Sequence, residues 1–571
     1  MGYATTRSVE RVAAAMGALE AAPIVFEAAR DIPQGGVLLA VPALLTMGLL
    51  HCSPELYALP NGFYGLNSVF LLLALMALAR IPSIEQLRYV APGEWGHLLG
   101  LDRIPEVRTL RAKLEVLCAE LGRAARWNTE LAKLWMTEQT PVGEAGMAFY
   151  VDGHVRVYHG PLTKLPRHYV ARQRSYLRAT VDYWVNALGG EPFFYVNKEV
   201  DPGLVKVLRE DLLPWLEANA PLSPQQQERM EKDPRLPRFL IIFDREGYSP
   251  DLFKELWDKR IAVLTYRKYA DQDWPCQEFH PQTVTLTSGQ QVRMELAERE
   301  TTLRNGLGVR EVRKIAEDGH QISIVSTCWV GDAAALAAAL MARWCQENFY
   351  RYMRQHFGLD ALVEFGTELI PDTVTVVNPA WREAHREVLK RYRELKRYGA
   401  LQDSLSLEQP LSEAAVACYE QHQGALQEKI ETLTHEVERF KAQRKATKPR
   451  IPVQELPEKD RFTRLRTERK HFIDTIKMIA YRAETSMAST VREELARWDD
   501  ARALLRQIYT TEVDLIPDSE AKTLTVCLHH LTQSAHDQAA RYLCEELTAT
   551  ETVFPGTELR LVYKLGSSQI P

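Results

Sequence analysis

The chain has 571 residues, 46% of them hydrophobic and 25% charged, with a formal net charge of −5. This is a globular composition with apolar material for three or four domains. The eight cysteines are scattered without a CxxC pair, which excludes a disulfide framework and zinc ribbons and fits a reducing cytoplasm.

Residues 1–125 read as a mostly helical region, a compact cluster of short helices that suits DNA binding and any other helical domain equally well. It contains the apolar run Val69–Ala79, which is eleven residues long. That is too short to span a bilayer and predicts a buried helix. Short helices are expected at Ile84–Val90 and Trp95–Leu99. A longer one is expected at Arg103–Leu117, with Leu110, Leu114 and Leu117 on one face. Residues 126–145 read as a helical connector.

The texture changes near Gly146. Met147–Val151 is a short apolar strand ending at Asp152-Gly153-His154, which reads as a tight turn into a hairpin partner at His154–Tyr158. Tyr176–Val185 is a third strand. A helix at Leu204–Leu213 is stopped by Pro214. Arg238–Phe243 is a buried strand that ends at Asp244. Strand, hairpin, strand, helix and buried strand is the order of a ribonuclease-H-like domain, here 146–360. A β-rich insertion at about 261–315 includes Thr283–Thr287 before Ser288-Gly289. Strands at Val309–Ile315 and Gln321–Cys328 lead to one long helix from about Asp332 to Phe357.

The rest reads as helical: 361–450 with a short coiled-coil seam (Leu426, Ile430, Leu433, Val437, Phe440), and 451–571 as a C-terminal helical domain. The seam fits packing within the chain or a dimer contact. Two windows are basic against the acidic whole. Arg382–Arg397 has seven Lys/Arg against three Glu, and Lys441–Lys470 has eleven against four acids. Local patches, not net charge, decide phosphate binding.

Phosphodiester chemistry without a covalent intermediate commonly uses two divalent metals about 3.5–4 Å apart, and magnesium takes hard oxygen ligands. About three carboxylates must therefore converge from separate elements. Asp152 and Asp244 stand at strand ends, where an Asp is otherwise a common turn former. Glu347 supplies the third acid from a helix, sharing a face with Arg343 and Arg351 and lying two turns before Arg354. Its plainer explanation is an exposed ladder of ion pairs. Asp182, Glu246, Glu295, Glu298 and Glu300 compete; Glu298 is the alternative third acid, and Glu347 is preferred for its arginine spacing. His154 and His159 flank the first acid, but a surface or structural histidine is commoner. His529-His530 has no ligand pattern around it, and no Walker loop or GxSxG motif occurs.

Asp152 in YVDGH, Asp244 in IIFDREGYS and Glu347 in RWCQENFYRYM resemble the three acidic motifs of DDE transposases from bacterial insertion sequences. Arg343, Glu347 and Arg354 are similar to the YREK signature of the cut-and-paste class, Y-x2-R-x3-E-x6-K. Arg354 replaces the Lys and Leu340 the Tyr. The resemblance covers roughly residues 146–360. It implies an α/β ribonuclease-H-like catalytic core flanked by all-α regions. It further implies that Asp152, Asp244 and Glu347 hold two magnesium ions, with manganese as a substitute, and that Arg343 and Arg354 bind DNA phosphate. Cleavage and strand transfer at the ends of a mobile element would follow, on double-stranded DNA, by a homodimer when synapsed, in the cytoplasm at the nucleoid. The competing expectations are a metal-dependent nuclease on the same fold without strand transfer, and a non-catalytic DNA-binding descendant, to which Leu340 points.

Overall fold

In the computed structural model the described residues are 5–138, 146–160, 164–198, 200–270, 272–286, 291–361, 366–368, 370–371, 374–404, 412–458, 461–497 and 500–566. The Ser288-Gly289 turn and the last part of the 126–145 connector lie outside them. Contacts divide the chain into two units. One comprises 1–157, 180–365 and 466–571; the other comprises 158–179 and 366–465.

The first unit is mixed α/β. The apolar run forms a helix, Leu66–Leu78, buried from Ser68 to Leu78. Against it packs the helix Glu468–Val491, in contact also with the helix Arg123–Thr137. Tyr57, Phe70, Trp127 and Phe472 interlock there, with ring centroids 5.2–5.7 Å apart and mostly edge-on. The first and last parts of the sequence thus share one core. No described helix is long and apolar enough to cross a membrane.

The flanking regions are not all-α, contrary to the expectation. Strand β1 (Ala29–Ile32) pairs with β12 (Val513–Asp518), beside β13 (Thr523–Leu528) and β14 (Arg560–Leu565) in a four-stranded sheet. Thr523–Val526 alternates polar and apolar residues, the period of two of a half-buried strand, while Val513–Asp518 carries no such pattern.

The large sheet holds the site. Its path runs β5 (Pro192–Lys198), β4 (Ser175–Asn186), β2 (Met147–Val157), β6 (Phe239–Ile242) and β7 (Ile261–Tyr266). It continues through β11 (Gln321–Ser326), β10 (Gly308–Ile315), β9 (Gln291–Thr302) and β8 (His280–Thr285). β2, β6 and β7 are parallel, and β6 and β7 are wholly buried runs but for Tyr266, as parallel strands covered on both faces require. Three expectations change here. The 147–158 hairpin is one continuous strand. Gly153 serves close packing, since a Cβ there would come 3.3 Å from the Tyr183 ring. The β-rich segment is not a separate insertion: β7 belongs to the parallel set, and β8 to β11 extend the same sheet. Pro214 does not stop its helix. A π-turn, Leu208–Leu212, precedes it, and the helix resumes as Leu213–Asn219 with the proline in its first turn, where no N–H is needed.

In the second unit β3 (Arg167–Val170) pairs with the start of β4. The helices Pro379–Asp403 and Glu413–Ala446 pack together, burying Leu433 and Val437 of the seam and Ala384 and Val388 opposite. Arg391 Nε meets Glu436 at 2.8 Å. Leu433 and Val437 of the seam are thus buried by the chain itself, while Leu426, Ile430 and Phe440 are half-buried.

Candidate active site

Tyr150 of β2 stands beside Ile242 of β6, the last pair of a parallel register, so the two strands run on toward Asp152 and Asp244 at the same end of the sheet. Asp152 lies within β2, not at its end, while Asp244 lies two residues beyond the end of β6, at the start of a 3-10 turn. Its Oδ1 accepts from the Glu246 N–H at 2.8 Å, capping a short 3-10 turn, and its own carbonyl accepts from Thr265 Oγ1 at 3.0 Å. Asp152 is two-thirds or more enclosed, and burial raises its carboxyl to about 6; the neighbouring Asp244 raises it further, while Arg343 opposes the shift. Glu246, two residues beyond Asp244, is pushed up to about 7 by burial and by Asp201 and Asp244. Asp201 itself accepts from Tyr183 Oη at 2.6 Å. Close-set carboxylates that resist ionising together form a site that a hard cation would relieve.

The third acid stands on a helix, but not the single long one expected. Ala333–Met341 ends, Ala342 and Arg343 turn, and Trp344–Phe357 begins with Arg343 at its N-cap. Glu347 falls in its first turn, at the end of the helix dipole that suits a negative charge. Gln346 fixes this helix to the sheet: its Nε2 donates to Asn186 Oδ1 (2.9 Å) and the Trp184 carbonyl (3.3 Å). One turn on, Tyr350 Oη donates to the Asp152 carbonyl at 3.2 Å. Arg343 then joins two of the acids, with Nη1 3.0 Å from Asp152 Oδ2 and Nη2 3.2 Å from Glu347 Oε1.

The other expected residues sort plainly. Arg354 donates from Nε to the Tyr350 carbonyl of its own helix (3.4 Å) and makes no ion pair with a described residue. Arg351 bonds Asn348, not Glu347. Leu340 is wholly buried against the sheet, so position 340 offers no phosphate contact here. Glu298 sits on β9, toward the far edge of the sheet, paired with Arg310. His154 is buried, stacked on Tyr350 (4.9 Å) and bonded to Asp360 at 2.7 Å, a structural histidine that burial keeps below its usual pKa. His159 is exposed. Asp182 is spent in a buried network: Arg156 pairs with Asp182 and with Asp474 (2.9 Å), and Lys470 joins Asp474. Burial lowers Lys470 to about 7. No local pattern marks this cluster, because Arg156 and Asp182 lie far along the chain from the Lys470–Asp474 pair on its own helix.

The three acids do not themselves close around one point. Among the described residues, the group whose possible ligand atoms all lie within 4.8 Å of one another is Asp31, Asp514 and His529, on the small sheet. There His529 Nε2 lies 3.0 Å from Asp514 Oδ1 and 3.9 Å from Asp31 Oδ1, so a histidine set between two acids accounts for the grouping.

The model of a family described as "Transposase protein" matches residues 2–567. The chain belongs to this transposase family. None of the curated proteins matches. Among solved structures the transposase is similar to the piggyBac transposase in a synaptic complex with hairpin DNA. That match has 11% identity and a TM-score of 0.24, covering 84% of this chain and 85% of that one. So loose a superposition lends no weight to the fold or the site.

Proposed function

We propose that this transposase is a DDE enzyme with a ribonuclease-H-like core, in which Asp152, Asp244 and Glu347 hold two magnesium ions and cut and join double-stranded DNA at the ends of a mobile element. One observation carries the reading: a single guanidinium, Arg343, spans from Asp152 to Glu347, at the end of the parallel strands where the chain also runs into Asp244. The carboxylates supply hard oxygens alone, the donor set magnesium prefers, and manganese would be accepted by the same set. When bound, such ions ready a water or a 3′-hydroxyl for in-line attack and stabilise the leaving oxygen.

The chain's own groups do the rest. The Gln346 and Tyr350 bonds hold the helix of Glu347 at a fixed height over β2. Arg343, only partly exposed, stands where a scissile phosphate would approach the acids, and a guanidinium binds such a group through two parallel bonds. Arg382, Lys390, Arg393, Lys396 and Arg397 are exposed along one helix of the second unit and would track the duplex backbone. Holding two element ends together calls for at least two copies. The resemblance to insertion-sequence enzymes of the YREK class supports the same reading, with Arg343 and Glu347 in their places and Leu340 and Arg354 departing from it.

The test is cleavage of a duplex carrying the terminal repeat. Asp152→Asn and Glu347→Gln are each expected to lower cleavage and strand transfer by at least about a thousandfold, with duplex binding retained. Cleavage at the wild-type rate by either variant refutes the assignment.

A further inference from the structure

Arg343 does more in this structure than wait for DNA. Its two terminal nitrogens lie 3.0 Å from Asp152 and 3.2 Å from Glu347, and its side chain is 15% exposed. These are carboxylate oxygens that a metal ion would need. The guanidinium opposes a divalent cation there, because both are positive and it already occupies one oxygen of each acid. The three acids do not reach the mutual 4.8 Å of the Asp31, Asp514 and His529 group.

The surroundings say which part moves. The helix backbone is pinned to the sheet by Gln346 and to β2 by Tyr350. Arg343 itself sits at the junction of two helices, where its N–H still reaches the Leu340 carbonyl at 3.3 Å. Rotation of the side chain alone frees the carboxylates, without moving either helix.

We infer that Arg343 is a stand-in for metal: in the DNA-free protein it bridges Asp152 and Glu347, and it yields them when a DNA phosphate takes its guanidinium. DNA and metal then bind with positive coupling, each strengthening the other by the same factor. A cell's free divalent metal would load the site chiefly on DNA. The inference rests on the metal reading of the three acids and goes beyond it, since a phosphate clamp alone predicts no effect on metal binding without DNA.

The experiment is a Mn²⁺ titration of the full chain, followed by the electron paramagnetic resonance signal of free Mn²⁺, with and without a terminal-repeat duplex. Without DNA, Arg343→Gln is expected to bind Mn²⁺ about tenfold more tightly than wild type, the scale of one charge-assisted contact. Arg343→Lys, which keeps the charge but cannot fork across two carboxylates, should fall between them. The duplex should tighten Mn²⁺ binding by a several-fold larger factor in wild type than in Arg343→Gln. Equal or weaker binding by Arg343→Gln, or an equal effect of DNA on both proteins, overturns the inference while leaving the metal site standing. Undiminished Mn²⁺ binding by Asp152→Asn overturns both.

Discussion

Asp152 shows how one carboxyl can cost stability and serve chemistry. Its pKa is raised by the fold to about 6, first by burial and then by Asp244. An acid with a raised pKa is held in its neutral form by folding. The penalty is therefore absent below the unfolded value near 4, develops as pH rises, and is complete above about 6. Asp152→Asn, which keeps the neutral shape, is expected to match wild type at pH 4 in chelator. Above pH 6.5 it should be more stable by up to about 3 kcal/mol, about two pKa units of linkage. Thermal unfolding across that range checks the sign, and a variant less stable than wild type at pH 7 would contradict it. The same raised pKa means that a cation competes with a proton here, so metal loading should strengthen between pH 5 and 7.

At the scale of elements, the sequence shows the apolar runs and hides the joints. Met147–Val151 and Arg238–Phe243 were legible as strands because continuous apolar runs ending in Asp leave few alternatives. Asp-Gly read as a turn because glycine at 153 has two uses, and only the Tyr183 ring packed over it distinguishes them. The break between Met341 and Trp344 was illegible, since Ala342 and Arg343 are both good helix formers; tertiary bonds from Gln346 to Trp184 and Asn186 select it. The buried Arg156, Asp182, Asp474 and Lys470 network had no local pattern at all. The helical hairpin of the second unit carries its own prediction. Its seam buries Leu433 and Val437 internally, so the exposed cations, with Tyr392 exposed among them, are free for DNA. Replacing Lys390, Arg393 and Arg397 together by Ala should weaken duplex binding without altering the cleavage site. The slope of log affinity against log salt should flatten by up to about 2.7, roughly 0.9 per lost phosphate contact. An unchanged salt slope would remove this helix from the DNA surface.

For the whole molecule, the ends of the sequence are not appendages. The 3-10 turn Gly35–Ala40 is buried against the C-terminal helix Ala501–Thr510 and the small sheet. The Gly36 N–H donates to the Thr511 carbonyl, and Tyr563 Oη to that of Leu38, each at 3.0 Å. A Cβ on Gly36 would lie 1.9 Å from the Ile508 carbonyl oxygen, a backbone atom that cannot step aside. Gly36→Ala is accordingly expected to destabilise the protein by on the order of 1–3 kcal/mol, the cost of overpacking a fixed core. The loss should appear as one shifted cooperative transition in thermal unfolding; an unchanged midpoint would contradict the interlock. Because β1 completes a sheet built from residues 513–565, the N-terminal helices and the last strands stand or fall together, which the linear division into helical blocks did not foresee.

The most direct test of the account is to see where the ions go. Anomalous scattering from Mn²⁺ in crystals of the full chain with a terminal-repeat duplex locates them without reference to activity. Density is expected between Asp152 and Asp244, with Glu347 as a ligand and Arg343 turned away onto phosphate. Density confined to Asp31, Asp514 and His529, with the Arg343 bridge intact, would contradict it.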